Sequence, residues 1–182
     1  MRPHDKLAPS AWVKRWMGLL APGSMVLDVA CGFGRHTRLA TSLGHRVVAV
    51  DRNQEALSGL ESLPGVSTVA ADIESSGWPL PERSFDAVIV ANYLHRPLFP
   101  VLLDAVCASG LLIYETFARG NERFGRPSNP DFLLDAGELL DRVRPAMRVL
   151  GYEDLYSDDP KPAMVQRICA AGENFSWPQT TG

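Results

Sequence analysis

The residues that could do chemistry begin in VLDVACGFGRHT, residues 26–37, where an apolar run carrying one acid enters a glycine turn. Gly32 and Gly34 allow a backbone conformation that brings N–H groups close to a bound ligand, with a helix N-terminus behind them. The dinucleotide-binding pattern G-x-G-x-x-G uses its third glycine to pack helix on strand. Here Gly32-Phe33-Gly34-Arg35-His36-Thr37 places a threonine there. Asp28 stands just before the turn, inside the apolar run, where a carboxylate is costly to bury without a partner. Its charge opposes a pyrophosphate and favours a cationic ligand. Two more acids follow at the ends of apolar runs, Asp51 in RVVAVD and Asp72 after VSTVAA. A carboxylate in the position of Asp51 can accept both hydroxyls of a ribose, or it can cap the helix that follows. Both readings stay open, and Asp72 admits the same cap.

The elements that must position these groups alternate regularly. Strands are expected over 24–30, 46–51, 66–71, 85–91 and 110–117, as continuous apolar runs. A helix is expected over 35–43 with Gly44 as its stop, and another from an Asn53 cap to Leu63. A third helix is expected over 98–108, with Leu98, Val101, Leu102, Ala105 and Val106 on one face, and a last over 131–144. ESSGWPLPERS, residues 74–84, is a connector rich in turn formers. The polar stretch 118–130 is too long for a simple turn and is expected to be a functional loop. Two further strands, about 147–156 and 163–171, are joined by SDDPKPA without a helix and so must run antiparallel to each other. Apolar strands alternating with helices make a parallel sheet covered on both faces. The expected fold is α/β: one doubly wound domain, mostly parallel and seven-stranded, with an antiparallel C-terminal strand. It spans 21–172, with a helical extension over 1–20 and a tail over 173–182.

Composition bounds the partners. The chain has 182 residues, 46% hydrophobic and 21% charged, which suits one globular domain. A net charge of −3 gives no field that would draw it to nucleic acid. Cys31, Cys107 and Cys169 share no metal spacing and read as reduced thiols of a cytoplasmic protein. The histidines at 4, 36, 45 and 95 form no ligand set, so no metal is expected. No apolar run reaches the ~18 residues of a membrane span, and AWVKRWMGLL is broken by Lys14 and Arg15, unlike a signal peptide.

The pattern D-x-A-x-G-x-G, from Asp28 to Gly34, resembles the first motif of class I S-adenosylmethionine-dependent methyltransferases, with Ala30 where the family has its first glycine. The resemblance covers Met25 to Ala171, and FDAVIVANYLHRP is similar to the family's fourth-strand motif. A weaker likeness joins the chain to the small tellurite-resistance and thiopurine-type enzymes. The resemblance implies a Rossmann-like fold and S-adenosyl-L-methionine as cofactor, whose ammonium and sulfonium suit the charge of Asp28. It implies binding by Asp28, Ala30, Gly32, Gly34, Asp51, Arg52, Asp72, Ile73 and Ala91, with Asp72 receiving the adenine amino group. Replacing Gly34 with valine is expected to abolish binding while the domain still folds.

Residues after the fourth and fifth strands then face the methyl group. His95 is a candidate general base, Tyr93 a wall of the methyl pocket and Glu115 an orienting group, each with a packing or capping alternative. Arg15 or Arg35 could reach the methionyl carboxylate, and Trp12 and Trp16 are expected to pack on one helical face. The expected acceptor is a small molecule, taken without nucleic acid or membrane by a monomer or homodimer. The rivals are a nicotinamide oxidoreductase, a non-catalytic adenosyl-binding module and a nucleic-acid methyltransferase. Asp28 and the missing third glycine oppose the first, and the acidic balance opposes the last. The 118–130 loop is expected to act as a substrate lid, its Arg119, Arg123 and Arg126 favouring an anionic group.

Overall fold

The computed structural model describes residues 8–80 and 85–178. His4, part of the 1–20 extension, part of the 74–84 connector and the end of the tail lie outside the described residues. Seven strands form one sheet: β1 (Met25–Val29), β2 (Arg46–Asp51), β3 (Val66–Ala70), β4 (Phe85–Ala91), β5 (Val106–Phe117), β6 (Arg148–Ser157) and β7 (Ala163–Ala171). Their order is β3-β2-β1-β4-β5-β7-β6, parallel except that β7 runs antiparallel to both β5 and β6. The doubly wound α/β sheet with its antiparallel C-terminal strand is therefore present. Strand order reverses between β1 and β4, and a crevice opens there beyond the carboxyl ends of the strands.

The continuous apolar strands exist because side chains on both faces are buried. Leu27, Val29, Val48, Val88 and Val90 join one core with Phe99 and Leu102 of α4 (Phe99–Asp104). Val26, Val47, Ala87 and Ile89 point to the other face. There they meet Trp12, Val13, Trp16 and Met17 of α1 (Ala11–Met17) and Ala40 of α2 (Arg35–Ser42). The Trp12 and Trp16 rings meet edge to face, 5.5 Å apart, and Trp12 Nε1 donates to the Ile168 carbonyl. The tryptophans thus pack, and α1 belongs to the core of the sheet. No described helix is long and apolar enough to cross a membrane.

Three helices differ from expectation. α3 (Gln54–Ser58) is capped by Asn53 as expected and stops well before Leu63. The helix expected over 98–108 ends at Asp104, because Val106 pairs with Phe85 and the chain then bulges before Leu111 pairs with Ala87. Edge-to-edge pairing outweighs an apolar stripe that a helix would also have satisfied. The helix expected over 131–144 is only α5 (Glu138–Val143), preceded by a 3₁₀ turn at Pro130–Phe132. Between them Leu134 bridges to Ala118, and Gly137 turns through φ +74°.

Candidate active site

Adjoining cavities lie along the carboxyl edge of the sheet. The first, about 370 Å³, sits over the glycine turn and is lined by Asp28, Ala30, Gly32, Arg35, Ala91 and Asn92 among others. The second, about 330 Å³, shares Ala30 with it and extends past Asp51, Arg52, Ile73 and Glu74 to Tyr93 and Phe132. The third, about 240 Å³, shares Arg35 and Asn92 with the first and reaches Glu115, Thr116, Lys161 and Arg167. A fourth, about 200 Å³, lies between Asn92, Tyr93, Thr116, Pro127 and Phe132. Parallel pairing in register brings these strand ends together.

The two glycines of the turn do different work. Gly32, at φ +54°, has open space where a Cβ would stand, so its backbone faces the first cavity. Its N–H donates to Asp51 Oδ2 at 2.7 Å, and Asp51 Oδ1 accepts from the Asn53 N–H at 2.8 Å. A carboxylate has about four lone-pair sites, so these bonds leave Asp51 room for two ligand hydroxyls. Gly34, at φ +74°, lines none of the cavities described above. A Cβ there would fall 2.5 and 2.6 Å from the methyl carbons of fully buried Leu60. A valine at Gly34 must displace Leu60, which weighs against the expectation that such a variant loses binding and still folds, since Gly34 packs the turn against the segment after α3. Ala30 and Asn92, both lining the first cavity, are the described non-glycine residues at positive φ, +51° and +57°.

Asp28 is 2% exposed and accepts a 2.6 Å hydrogen bond from Thr37 Oγ1. Burial raises its carboxyl to about 6, against the opposing pull of Thr37. The threonine in the third-glycine position is thus the partner that the buried acid needs. His36 is buried, and desolvation lowers it to about 3. The neutral ring accepts the Ser10 N–H, tying the start of α1 to the turn. Burial, then the charges of Asp28 and Asp51, push the Cys31 thiol up, away from a reactive thiolate.

Beyond the turn, Ile73 and Arg52 line the second cavity and Ala91 the first. Asp72 bends onto its own turn, accepting from the Glu74 N–H, and hydrogen bonds from Ser75 and Glu74 hold its carboxyl below the usual range. Tyr93 lines the second and fourth cavities with its buried hydroxyl unpartnered. Burial and then the Glu74 carboxylate push its phenol up. His95 lines none of the described cavities and stands 4.0 Å from Glu74. Glu115 is buried between Arg35, at 4.0 Å, and Arg167, at 3.4 Å. Arg15 lies over the Trp16 ring, 4.8 Å from its centroid.

The 118–130 loop is pinned. Asn121, buried, donates to the Pro127 carbonyl and accepts from the Met164 N–H, while Arg119 pairs with Asp135 at 2.7 Å. Arg167, Thr37 and Phe132 escaped the sequence reading. Thr37 is visible there as the residue replacing a glycine, whereas the other two reach the site from distant segments.

Residues 26–108 match a family model described as a methyltransferase domain. Among solved structures, TehB from Haemophilus influenzae is similar with a TM-score of 0.75 and 18% identity, over 93% of this chain. This chain spans 64% of that protein. An S-adenosylmethionine-dependent methyltransferase from Mesorhizobium loti has a TM-score of 0.68 and 18% identity, over 87% of this chain and 95% of its own. The [4+2]-cyclase SpnF has a TM-score of 0.67 and 17% identity, over 87% and 80%. Comparison with curated protein sequences gave no match. Residues 26–108 thus resemble a methyltransferase domain, and the sheet has the fold of the S-adenosylmethionine-dependent methyltransferases among these structures.

Proposed function

We propose that the chain transfers a methyl group from S-adenosyl-L-methionine to a small molecule. The observation that carries this reading is the row of adjoining cavities at the strand-order switch, lined by Asp28 and Gly32 at the turn and continuing to Glu115 and Arg167 of β5 and β7. The cofactor supplies an electrophilic methyl on a sulfonium. Gly32 leaves space for its amino-acid end, and Asp28 offers negative charge beside the ammonium and sulfonium. Asp51 accepts the ribose hydroxyls with its free lone pairs, and Ile73 lies against the base.

The acceptor occupies the 240 Å³ cavity, whose size suits a small molecule and which touches the turn cavity through Arg35 and Asn92. Glu115, held between Arg35 and Arg167, orients it there. In-line transfer asks these walls to align two atoms and exclude water, which the burial of Glu115 and Thr116 favours. Tyr93 forms a wall, and His95 reaches that wall through Glu74.

A second reading, binding without methyl transfer, draws support from the cyclase among the fold neighbours. Calorimetry with S-adenosylhomocysteine tests binding. Mass spectrometry of thiols, amines and carboxylic acids incubated with S-adenosylmethionine tests transfer. Binding with a 14 Da gain on one class supports the proposal. Binding with no gain across the panel supports the second reading, and no binding refutes both.

A further inference from the structure

The wall between the second and fourth cavities is made of Glu74, Tyr93 and Phe132, each of which lines both. Glu74 and Tyr93 stand just beyond β3 and β4. Phe132 comes from the connection after β5 and is 50% exposed. Its 3₁₀ turn contains no buried residue, and the chain enters the core only afterwards, at Leu133 and Leu134.

One guanidinium holds this turn. Arg96 Nη1 donates to the Asp131 carbonyl and Nη2 to the Leu133 carbonyl, each at 2.8 Å, so the carbonyls of the residues on either side of Phe132 are both gripped. Arg96 Nε and Nη2 also donate to the two carboxylate oxygens of Glu138 at 2.8 Å. Glu138 in turn accepts from the Asp135 N–H and from Arg142. A bidentate, charge-assisted pair fixes direction as well as distance. Leu133 and Leu134 already anchor the segment by burial, so what the clamp adds is the placement of the ring that lies outside the core.

We propose that Phe132 is a cofactor-recognition residue whose ring covers the flat face of the adenine, and that Arg96 is the positioning residue that seats it. This rests on the reading of the second cavity as the adenosine site. An aromatic ring without a polar edge recognises a planar base by stacking, and it does so only when its angle is held.

The test is calorimetric titration of the purified chain with S-adenosylhomocysteine and with adenosine, alongside thermal melting. Phe132→Ala, at an exposed position, is expected to fold and to weaken both ligands about fivefold, the low end for stacking a base on an aromatic ring. Phe132→Tyr is expected to keep wild-type affinity. Arg96→Gln is expected to weaken both ligands by a similar factor, with no further loss in Arg96→Gln/Phe132→Ala, because one residue acts through the other. Arg96→Lys is expected to fail to restore binding, since an ammonium cannot span the same four acceptors. Unchanged affinity in Phe132→Ala overturns the proposal, as does an Arg96→Gln protein that melts earlier yet binds as tightly as wild type. A wild-type chain that binds neither ligand overturns the adenosine reading itself, and the seat with it.

Discussion

Alanine at Gly34 and alanine at Gly32 are expected to fail in opposite ways, although the two glycines stand two residues apart in one turn. At Gly34 two costs combine. A non-glycine residue at φ +74° costs about 1–2 kcal/mol. The new Cβ would also lie 2.5 and 2.6 Å from Leu60 methyl carbons, well inside contact distance, and Leu60 is 0% exposed. Forcing a packed leucine aside costs about 1–3 kcal/mol. The expected loss is therefore about 2–5 kcal/mol, a large share of the 5–15 kcal/mol typical of a domain. At Gly32 only the conformational cost applies, about 1–2 kcal/mol at φ +54°, because nothing stands within 4 Å of the new carbon. That carbon instead enters the turn cavity, and Gly32→Ala is expected to lose S-adenosylhomocysteine affinity by about tenfold or more while folding normally. Urea unfolding gives the stabilities and calorimetry the affinities. Leu60→Ala supplies a double-mutant cycle: combined with Gly34→Ala it should cost less than the two single losses added together, by the repacking part, about 1–3 kcal/mol. Equal destabilisation at the two glycines, or strict additivity with Leu60→Ala, would refute this division of labour.

Asp51→Asn removes a carboxylate that two backbone N–H groups share; its amide nitrogen must confront one of them, so a loss of about 1.5–3 kcal/mol is expected in both urea stability and cofactor binding. Unchanged melting and unchanged calorimetric affinity would remove Asp51 from the site. Asp28 titrates near 6 in the folded chain and near 4 when unfolded, so between those values the folded state holds the extra proton. Stability is therefore expected to fall by about 2 kcal/mol as pH rises from 4 to 6, while Asp28→Asn lacks that slope and S-adenosylmethionine affinity declines as pH drops through 6. Urea curves at pH 4, 5, 6 and 7 for both proteins check the sign, and parallel curves would contradict it. Asn121→Ala is expected to cost about 1–3 kcal/mol and to raise the acceptor KM with cofactor affinity unchanged, because Asn121 accepts from the Met164 N–H between Ala163 and Val165, which line the cavity proposed for the acceptor. An equal change in both constants would show that the loop serves the whole fold.

The parts of the fold legible in the sequence are those whose burial is unambiguous. RVVAVD and FDAVIVA are apolar on both faces, which a strand between two layers requires and a surface helix does not. Residues 106–109 are different: an apolar stripe at helical spacing runs into them, and only the pairing of Val106 with Phe85 across the sheet decides for β5. The stretch 131–144 misleads for a related reason. Leu133, Leu134, Leu139 and Val143 are all buried, yet the first two reach the core in the segment where Leu134 bridges to Ala118, just past β5, and the last two through α5. Apolar spacing reports burial and says nothing of which element delivers it.

The site divides along the same line. Asp28, Ala30, Asp51, Ile73 and Ala91 could be named in advance because parallel strands put their carboxyl ends on one edge, so position in the strand fixes position in the crevice. Phe132 and Arg167 arrive from a strap and from an antiparallel strand, whose placement depends on Arg96 meeting Glu138 across 42 residues and on β7 inserting beside β5. Such residues carry no local signature, for the partner that places each is remote in sequence. Arg167 lines the cavity proposed for the acceptor, whereas Phe132 reaches back to the cofactor end, which is otherwise built mainly from strand ends. The strand ends that form the crevice are therefore legible within the first hundred residues, while Phe132 and Arg167, which help to wall it, are set by packing within the last eighty.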